Sequence, residues 1–387
     1  MILKKIEYSE FDETPNVWMF REVTLEKVNL LVGQNATGKT RTITVISSLA
    51  NMLAGLQPQL LNSGNYTAEF SDNNDIYRYL LKIEQHKIIS EKLILNGDVK
   101  VERNTDGAGE LFAEAVGSGQ MIKFKISENQ LIVFSKKDAV QHPYLEKLYE
   151  WANGVRLYAF GTALGKDSGF VTNDINQLQV NPRDTNGVAA LFVKGLKDFG
   201  EGFRNDIIEL MEKIGYNLQT IDVAPNPNIG FLLPAGLPLQ MIYIVEKGRT
   251  AMIFQPEMSQ GMFRALSLLI QIRYNIRKKI STAILVDDIG EGLDFERSSG
   301  IIKIIVDTAE TSGIQFVMST NDRFVMNGVP LKYWQVIKRS GGECVIYNYG
   351  NSKDIFDKFE FTGLSNFSFL STDFISQESE SKTAPVK

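Results

Sequence analysis

The sequence predicts an α/β protein with a mixed, largely parallel sheet core that also carries an antiparallel β-layer and a helical lobe. Three stretches predict it. Residues 28–55 read as strand, glycine-rich turn and helix; residues 283–318 read as strand, helix and strand; and Tyr66 to Ile132 read as short alternating strands.

The first stretch contains Gly33-Gln34-Asn35-Ala36-Thr37-Gly38-Lys39-Thr40, a full match to the phosphate-loop pattern G-x-x-x-x-G-K-[ST]. A short pattern gains weight from its flanks. Val28-Asn29-Leu30-Leu31-Val32 is an apolar, partly β-branched run that leads into Gly33. After Thr40, the residues Ile43, Ile46, Leu49, Ala50 and Leu53 recur at helical spacing, and Gly55 stands where a helix C′ residue belongs. The residue types suit the chemistry: glycines admit close backbone approach, and the N–H groups and helix dipole favour phosphate oxygens. Lys39 reaches the terminal phosphates, and the Thr40 hydroxyl suits Mg²⁺. Gln34 and Arg41 flank the loop within reach of a nucleotide, in directions that the sequence does not fix.

In chain order, residues 2–8 and 17–32 read as strands joined by a turn from Glu10 to Asn16, an N-terminal β-layer feeding the loop. The meander that follows is punctuated by turn clusters at residues 71–75, 96–98, 104–107 and 127–129. Residues 138–215 are mainly helical, with Ile207, Ile208, Met211 and Ile214 on one periodic face, but a polar stretch from Gly161 to Gly187 interrupts them. Residues 221–254 return to strands around a Pro/Gly-rich turn from Pro225 to Pro238. A long helix (about Gln260 to Lys279) precedes the strand Ala283 to Val286, a helix from about Glu296 to Thr311 and the strand Ile314 to Met318, a βαβ unit with parallel strands. Late strands lie near Tyr333 to Ile337 and Cys344 to Tyr349. Beyond Ser376 the chain is Ser/Glu/Lys-rich and disorder is expected through residue 387. The expected organisation is one domain over 1–375: a nucleotide-binding core from 1–65 and 255–350, the meander from 66–135, and a helical lobe with return strands from 138–250.

At 387 residues the chain can bury a substantial core, and its net charge of −5 opposes coating nucleic acid by bulk charge. Its single cysteine, Cys344, leaves no internal disulfide and no cysteine-based zinc site. With no apolar run of membrane-spanning length and no signal peptide at the start, a cytoplasmic protein without membrane contact is expected.

Ala283-Ile284-Leu285-Val286-Asp287-Asp288 is an apolar strand ending in two acids. In a parallel sheet, ligands lie outside the carboxyl ends of the strands. Asp287 is then placed to hold Mg²⁺ and Asp288 to orient or deprotonate an attacking water. With the following Ile289-Gly290-Glu291-Gly292-Leu293-Asp294, the segment resembles the Walker B strand and D-loop of the ABC-type ATPases, in the soluble branch that contains the SMC, RecF and OLD-like proteins. Met258-Ser259-Gln260-Gly261-Met262-Phe263-Arg264 resembles the degenerate signature motif of that branch, and Ser319-Thr320-Asn321-Asp322 lies where it carries a switch-histidine loop. The four motifs occur in family order.

The resemblance implies a P-loop NTPase of the ABC-type ATPase head class, a compact head without coiled coils, using ATP and Mg²⁺. Ser259 can cap the long helix, and Gly261 lies in its first turn. In the family that helix end meets the terminal phosphate bound by another subunit, so Ser259 and Gly261 would act in trans in a head-to-tail dimer or higher oligomer. Three departures accompany the matches. Ala36 replaces a glycine common inside the family's loop; Asp288 replaces the usual glutamate, although RecF-type mediators carry paired aspartates there. Asn321 takes the histidine position, where it can hydrogen-bond a phosphate but not change charge. Lys39, Asp288 and Asn321 are thus the catalytic candidates, with slow hydrolysis expected.

Compact relatives of this kind often control a separate effector in prokaryotic anti-phage defence or toxin–antitoxin systems. An effector on another chain is expected, because no acidic nuclease segment follows Asn348 and His86 and His142 are too scattered for a His-Asn-His nuclease. A RecF-like DNA-repair ATPase and a non-hydrolysing nucleotide sensor are the alternatives; a small-molecule kinase leaves the signature segment unexplained. Arg273, Arg277, Lys278 and Lys279 at the end of the signature helix would offset its dipole, with DNA contact as the competing reading. Tyr333 and Trp334 are expected to pack beside a late strand.

Overall fold

The computed structural model describes residues 1–114, 119–172, 178–181, 183–227 and 239–383. The described part of the chain opens with β1 (Ile2–Glu10), β2 (Trp18–Thr24), β3 (Val28–Val32) and helix α1 (Lys39–Leu53). The meander comprises β4 (Ser63–Asp72), β5 (Asp75–Glu84), β6 (Lys87–Leu95), β7 (Asp98–Arg103), β8 (Ala108–Ala113) and β9 (Gln120–Lys125). Then come α2 (Ile132–Lys136), α3 (Pro143–Gly154), β10 (Arg156–Ala159), β11 (Phe170–Val171), α4 (Val188–Phe199) and α5 (Glu201–Lys213). The return strands are β12 (Leu218–Pro225), β13 (Leu239–Glu246) and β14 (Ile253–Phe254), followed by α6 (Gln260–Lys278), β15 (Ala283–Asp287), α7 (Phe295–Thr311) and β16 (Gln315–Ser319). Last are α8 (Arg323–Gly328), β17 (Trp334–Ser340), β18 (Glu343–Asn348), α9 (Lys353–Phe361), α10 (Asn366–Ser371) and α11 (Phe374–Thr383).

These elements fall into two compact units, each assembled from separated segments. The first holds Met1–Val155, Ser281–Leu285 and Gln315–Lys387; the second holds Arg156–Ile280 and Val286–Ile314. The strand ending in the paired acids therefore changes unit within its own length. The signature helix α6 groups with the helical lobe, not with the phosphate loop with which sequence order groups it.

In the first unit one sheet runs β15-β16-β3-β17-β18-β2-β1-β4-β5-β6-β7-β8-β9. β3 is parallel to both neighbours, with Ser319 of β16 opposite Leu31 and Val336 of β17 opposite Val32. Every residue of β3 and β16 is buried, as strands covered on both faces require. Two buried amides satisfy the backbone where these strands meet others. Asn29 Nδ2 donates to Glu26 O (2.7 Å) and Phe316 O (3.1 Å), and Gln315 Nε2 donates to Leu3 O and Glu26 O, both at 2.8 Å. From β1 onward the pairing is antiparallel, and the expected turn clusters fall between β4 and β5, β6 and β7, and β7 and β8. One polar triad sits inside the meander: Tyr79 Oη donates to Glu91 (2.7 Å), whose carboxylate lies 3.5 Å from Arg103. Burial pushes the Glu91 carboxyl above its ordinary range despite that cation.

In the second unit β11-β13-β12 form an antiparallel sheet, with β14 paired to β13. α5 packs on α6 and β12; of the predicted face Ile207, Met211 and, at the helix end, Ile214 are buried, and Ile208 is half-buried. The cations at the end of α6 have local acidic partners. Arg273 Nε lies 2.8 Å from Asp206, Arg277 pairs with the same carboxylate, and Lys278 Nζ lies 2.9 Å from Asp198. They therefore tie α6 to α5 and α4, a use that neither the dipole nor the DNA reading contains. Lys279 takes the left-handed C-cap position.

Two further sequence expectations meet the structure differently. The strand read over 17–32 is broken at Leu25–Lys27 into β2 and β3. The disorder expected from residue 376 gives way to helix α11 through Thr383. Ile375 is buried, Phe374 packs on Phe359 at 5.2 Å, and Lys338 Nζ donates to Ser376 Oγ at 2.5 Å. Residues 384–387 of that expected tail, residues 228–238 of the expected Pro/Gly turn, and residues 173–177 and 182 of the expected polar interruption lie outside the described residues. Trp334 packs as expected, buried edge-on against Phe369 at 6.3 Å with its indole N–H donating to Val329 O (3.0 Å).

Candidate nucleotide site

The phosphate loop joins the buried end of β3 to the start of α1. Ile43, Ile46, Leu49, Ala50 and Leu53 are buried, and Gly55 takes φ +69 just past the helix. Gly38 is the N-cap residue at φ +110, and as glycine it puts no capping side chain on the first turn. The other helices with motif residues at their starts are capped: Ser259 Oγ accepts from Met262 N (3.2 Å) on α6, Asp294 from Arg297 N (3.0 Å) on α7, and Asp322 from Phe324 N (2.6 Å) on α8. Only α1 among these four opens on a glycine, as a helix start that binds an outside anion should.

Lys39 is folded into the loop and 7 % exposed, its Nζ donating to Gly33 O (2.8 Å) and Gln34 O (3.0 Å). Those two carbonyls are thereby turned toward a cation, and Thr37 Oγ1 also donates to Gln34 O (2.9 Å). Gln34, Asn35, Ala36, Thr40 and Arg41 are exposed, and Thr37 and Gly38 are half-buried. Arg41 stacks over Trp18 at 4.3 Å and pairs with Glu10. Gly33 is glycine for a local reason that the motif does not state. A Cβ there would lie 2.6 Å from Ile337 O of β17. A Cβ on Gly38 would approach Trp18 (3.2 Å) and Cys344 Sγ (3.3 Å).

Ala36 lies at φ +63, the left-handed region that its Cβ disfavours. The glycine that this sequence lacks is thus missing from a position whose backbone asks for one. The hairpin β17–β18 touches the loop there: Arg339 Nη1 donates to Ala36 O (3.3 Å) and Cys344 Sγ to Thr37 O (3.2 Å). Burial raises the Cys344 thiol above its ordinary pKa, which keeps it a neutral donor. The sequence motifs did not find Arg339, Cys344 or Trp18. The Gly341-Gly342 turn next to Arg339 was the one local signal of a tight hairpin at this point.

Asn321 follows β16. Because β16 and β3 are parallel neighbours in register, the chain emerges from both strands at the same sheet edge, Asn321 beyond one and Gly33 beyond the other. Asn321 is exposed, while Thr320 before it is buried and donates its backbone N–H to Leu31 O (3.3 Å).

In the second unit Asp287 and Asp288 end β15, both half-buried. Asp287 O accepts from Phe160 N (2.9 Å), and Asp288 stands at φ +57, a conformation that Asp tolerates better than most residues. Its carbonyl accepts from Glu291 N (3.2 Å), starting a turn with Gly290 at φ +96 and Gly292 at φ +78. That turn packs on the signature segment, since a Cβ on Gly261 would lie 2.1 Å from Gly292 O. Arg264 secures the junction, with Nη1 donating to Glu291 O (2.8 Å) and Nη2 to Thr162 O (3.3 Å). Burial lowers its pKa below the usual guanidinium value. Ser259 is exposed and Gly261 buried. Arg264 lies within the signature-like segment, whose pattern states no role for it.

Among the described residues no three His, Cys, Asp or Glu side chains gather as a metal cage. The loop fits a nucleotide phosphate, for it combines an inward lysine, a glycine-opened helix and exposed residues 34–36.

A buried parallel strand, a phosphate loop and a helix, set in a mixed sheet that continues as an antiparallel layer, define a P-loop NTPase of the ABC-type, SMC-like head class. The chain belongs to the family whose model is described as "AAA domain, putative AbiEii toxin, Type IV TA system", which matches residues 28–327. No curated protein matches. Among solved structures the chain is similar to an SMC head bound to the C-winged helix domain of ScpA (TM-score 0.53, 11 % identity, 90 % of this chain and 97 % of that one). It is also similar to the Smc head with an extended coiled coil bound to the C-terminal domain of ScpA from Pyrococcus furiosus (TM-score 0.50, 11 % identity, 92 % and 99 %). At such identity the likeness is one of fold. Among the described residues no helix is long and apolar enough to cross a membrane.

Proposed function

We propose that the chain binds Mg²⁺-ATP, hydrolyses it slowly, closes as a head-to-tail dimer on two nucleotides and controls a separate effector protein in prokaryotic anti-phage defence or a toxin–antitoxin system. The observation that carries the binding step is α1 opening on Gly38 with Lys39 folded into the preceding loop. The family description supports the toxin–antitoxin setting. In this reading the loop N–H groups, Lys39 and Arg41 hold phosphates, Thr40 and Asp287 hold Mg²⁺, and Ser259 and Gly261 face the nucleotide of the other subunit. Mg²⁺ supplies charge neutralisation at the phosphates. Asp288 accepts the proton of the attacking water, and Asn321 fixes an oxygen by hydrogen bonding without changing charge.

Phosphate release by the purified chain tests the reading, with Lys39→Ala and Asp288→Asn beside it. Asn tolerates positive φ as Asp does, so Asp288→Asn removes the acid without adding backbone strain. Lys39→Ala is expected to lose ATP binding, and Asp288→Asn to keep binding and lose turnover by at least about tenfold. Absence of turnover in the wild type makes the chain a nucleotide sensor, and wild-type turnover retained by Asp288→Asn removes Asp288 as the base. Mass with and without Mg²⁺-ATP tests the dimer: a monomer in both conditions removes the in-trans role of Ser259 and Gly261. The RecF-like reading, suggested by the paired aspartates and the size, is tested by ATP-dependent, salt-sensitive binding to duplex DNA without any partner. Arg273, Arg277 and Lys278 are paired with Asp206 and Asp198, which weakens only a DNA contact at that helix end.

A further inference from the structure

We infer that Arg339 is the positioning residue of the phosphate loop: it holds Ala36 in the left-handed conformation that a glycine would adopt unaided. The inference rests on the nucleotide-binding reading for its consequence, but its cause is a matter of backbone chemistry. A residue with a Cβ disfavours the left-handed region, where that atom crowds the neighbouring carbonyl oxygen. Ala36, at φ +63 and exposed, has no side-chain hydrogen bond of its own with which to offset that cost, as Asn or Asp would have. Something outside it must hold the conformation.

The holder is the hairpin β17–β18, some three hundred residues away in sequence. Arg339 forks between two carbonyls, Nε donating to Gly341 O (2.8 Å) inside its own turn and Nη1 to Ala36 O (3.3 Å) in the loop. The first contact fixes the guanidinium plane, and the second applies it to the strained peptide. One residue on, Cys344 Sγ donates to Thr37 O (3.2 Å) from the partner strand, where it stands opposite Arg339. The hairpin itself is anchored away from the loop, by Met19 N donating to Gly342 O (2.9 Å) and by the Arg21–Glu343 ion pair (2.9 Å). Two successive loop carbonyls are therefore drawn back against a braced hairpin. A peptide whose carbonyl is drawn one way turns the N–H on its other side the opposite way, so the grip sets the direction of the loop donors.

Without Arg339 the loop would populate conformations in which Ala36 has relaxed, and apparent nucleotide affinity would fall with the competent fraction. A glycine at position 36 removes the need for the grip. The test is a cycle of Arg339→Ala, Ala36→Gly and the double variant, read by equilibrium ATP binding and by amide hydrogen exchange of residues 33–40 in the nucleotide-free chain. We expect Arg339→Ala to weaken ATP binding about five- to tenfold with Ala36 present and less than twofold in the Ala36→Gly background, and to speed loop exchange several-fold when Ala36 is present. Arg339→Lys, whose ammonium lacks the planar spacing of the guanidinium donors, is expected to restore part of the loss. Equal weakening in both backgrounds would mean that Arg339 acts on the nucleotide directly and would overturn the inference, as would unchanged exchange in Arg339→Ala. If the wild-type chain binds no ATP yet Arg339→Ala speeds exchange, the nucleotide reading fails and the positioning role stands.

Discussion

Two helix starts in this protein contain a motif glycine, and the glycines do opposite things. At α1, Gly38 leaves the first turn uncapped after an exposed loop, with Lys39 turned inward beneath it. At α6, Ser259 caps the first turn itself, and buried Gly261 admits the carbonyl of Gly292 into the space where a side chain would be. One start has no side-chain cap; the other is capped by its own serine and has its glycine packed on Gly292. A glycine in a motif therefore has to be read from what fills the space around it, because the same residue type serves ligand approach in one place and close packing in the other.

The contrast breaks most readily at Gly261. Gly261→Ala puts a methyl 2.1 Å from a backbone carbonyl, so we expect a loss of about 2–3 kcal/mol in thermal or denaturant unfolding without any nucleotide. An unchanged midpoint would mean that the turn at Gly292 moves aside freely and that the glycine serves a partner's nucleotide alone. Ser259→Ala probes the cap and should cost about 1 kcal/mol of stability in the free chain. If the loss appears only in ATP-induced dimerisation, the hydroxyl is not acting as a cap. The smallest effect concerns the far end of α6, where burial pushes the Asp206 carboxyl up but hydrogen bonds from Arg273 and Arg277 outweigh it and hold it below its ordinary value. A depressed carboxylate adds stability above the ordinary Asp range, near pH 4, and loses it as pH falls through the lowered value. The difference in unfolding midpoint between the wild type and Asp206→Asn should therefore shrink on acidification from about pH 6 to pH 3. A difference that stays constant would show that the ion pairs contribute nothing.

The phosphate loop was legible because its information is contiguous: strand, loop pattern and helix occupy neighbouring residues, and each checks the others. The meander was legible for the same reason, through alternation and turn residues such as Asn96-Gly97. Ala36 was visible as a departure from pattern, but its positive φ was not, since residue identity does not state a dihedral angle. Arg339, Cys344 and Trp18 escaped because no local pattern links a residue to a carbonyl three hundred positions away. The basic end of α6 was read as offsetting the helix dipole, with DNA contact competing, for want of Asp198 and Asp206, which belong to other helices. The tail beyond Ser376 was misjudged because composition counts polar residues and cannot see that buried Ile375 and Phe374, packed on Phe359, dock its beginning.

The interleaving of the chain between its two units bears on the order in which a growing polypeptide can finish its work. β3, which leads into the phosphate loop, has β16 and β17 as its sheet neighbours, and both come from residues after Gln315. A nascent chain stopped before Gln315 already has the whole loop sequence but no strand on either side of β3. The hairpin that grips Ala36 and Thr37 is made later still. Parallel, long-range pairing of this kind is slow to form and waits on synthesis. The loop sequence is therefore synthesised well before the strands that flank β3 and the hairpin that grips Ala36 and Thr37.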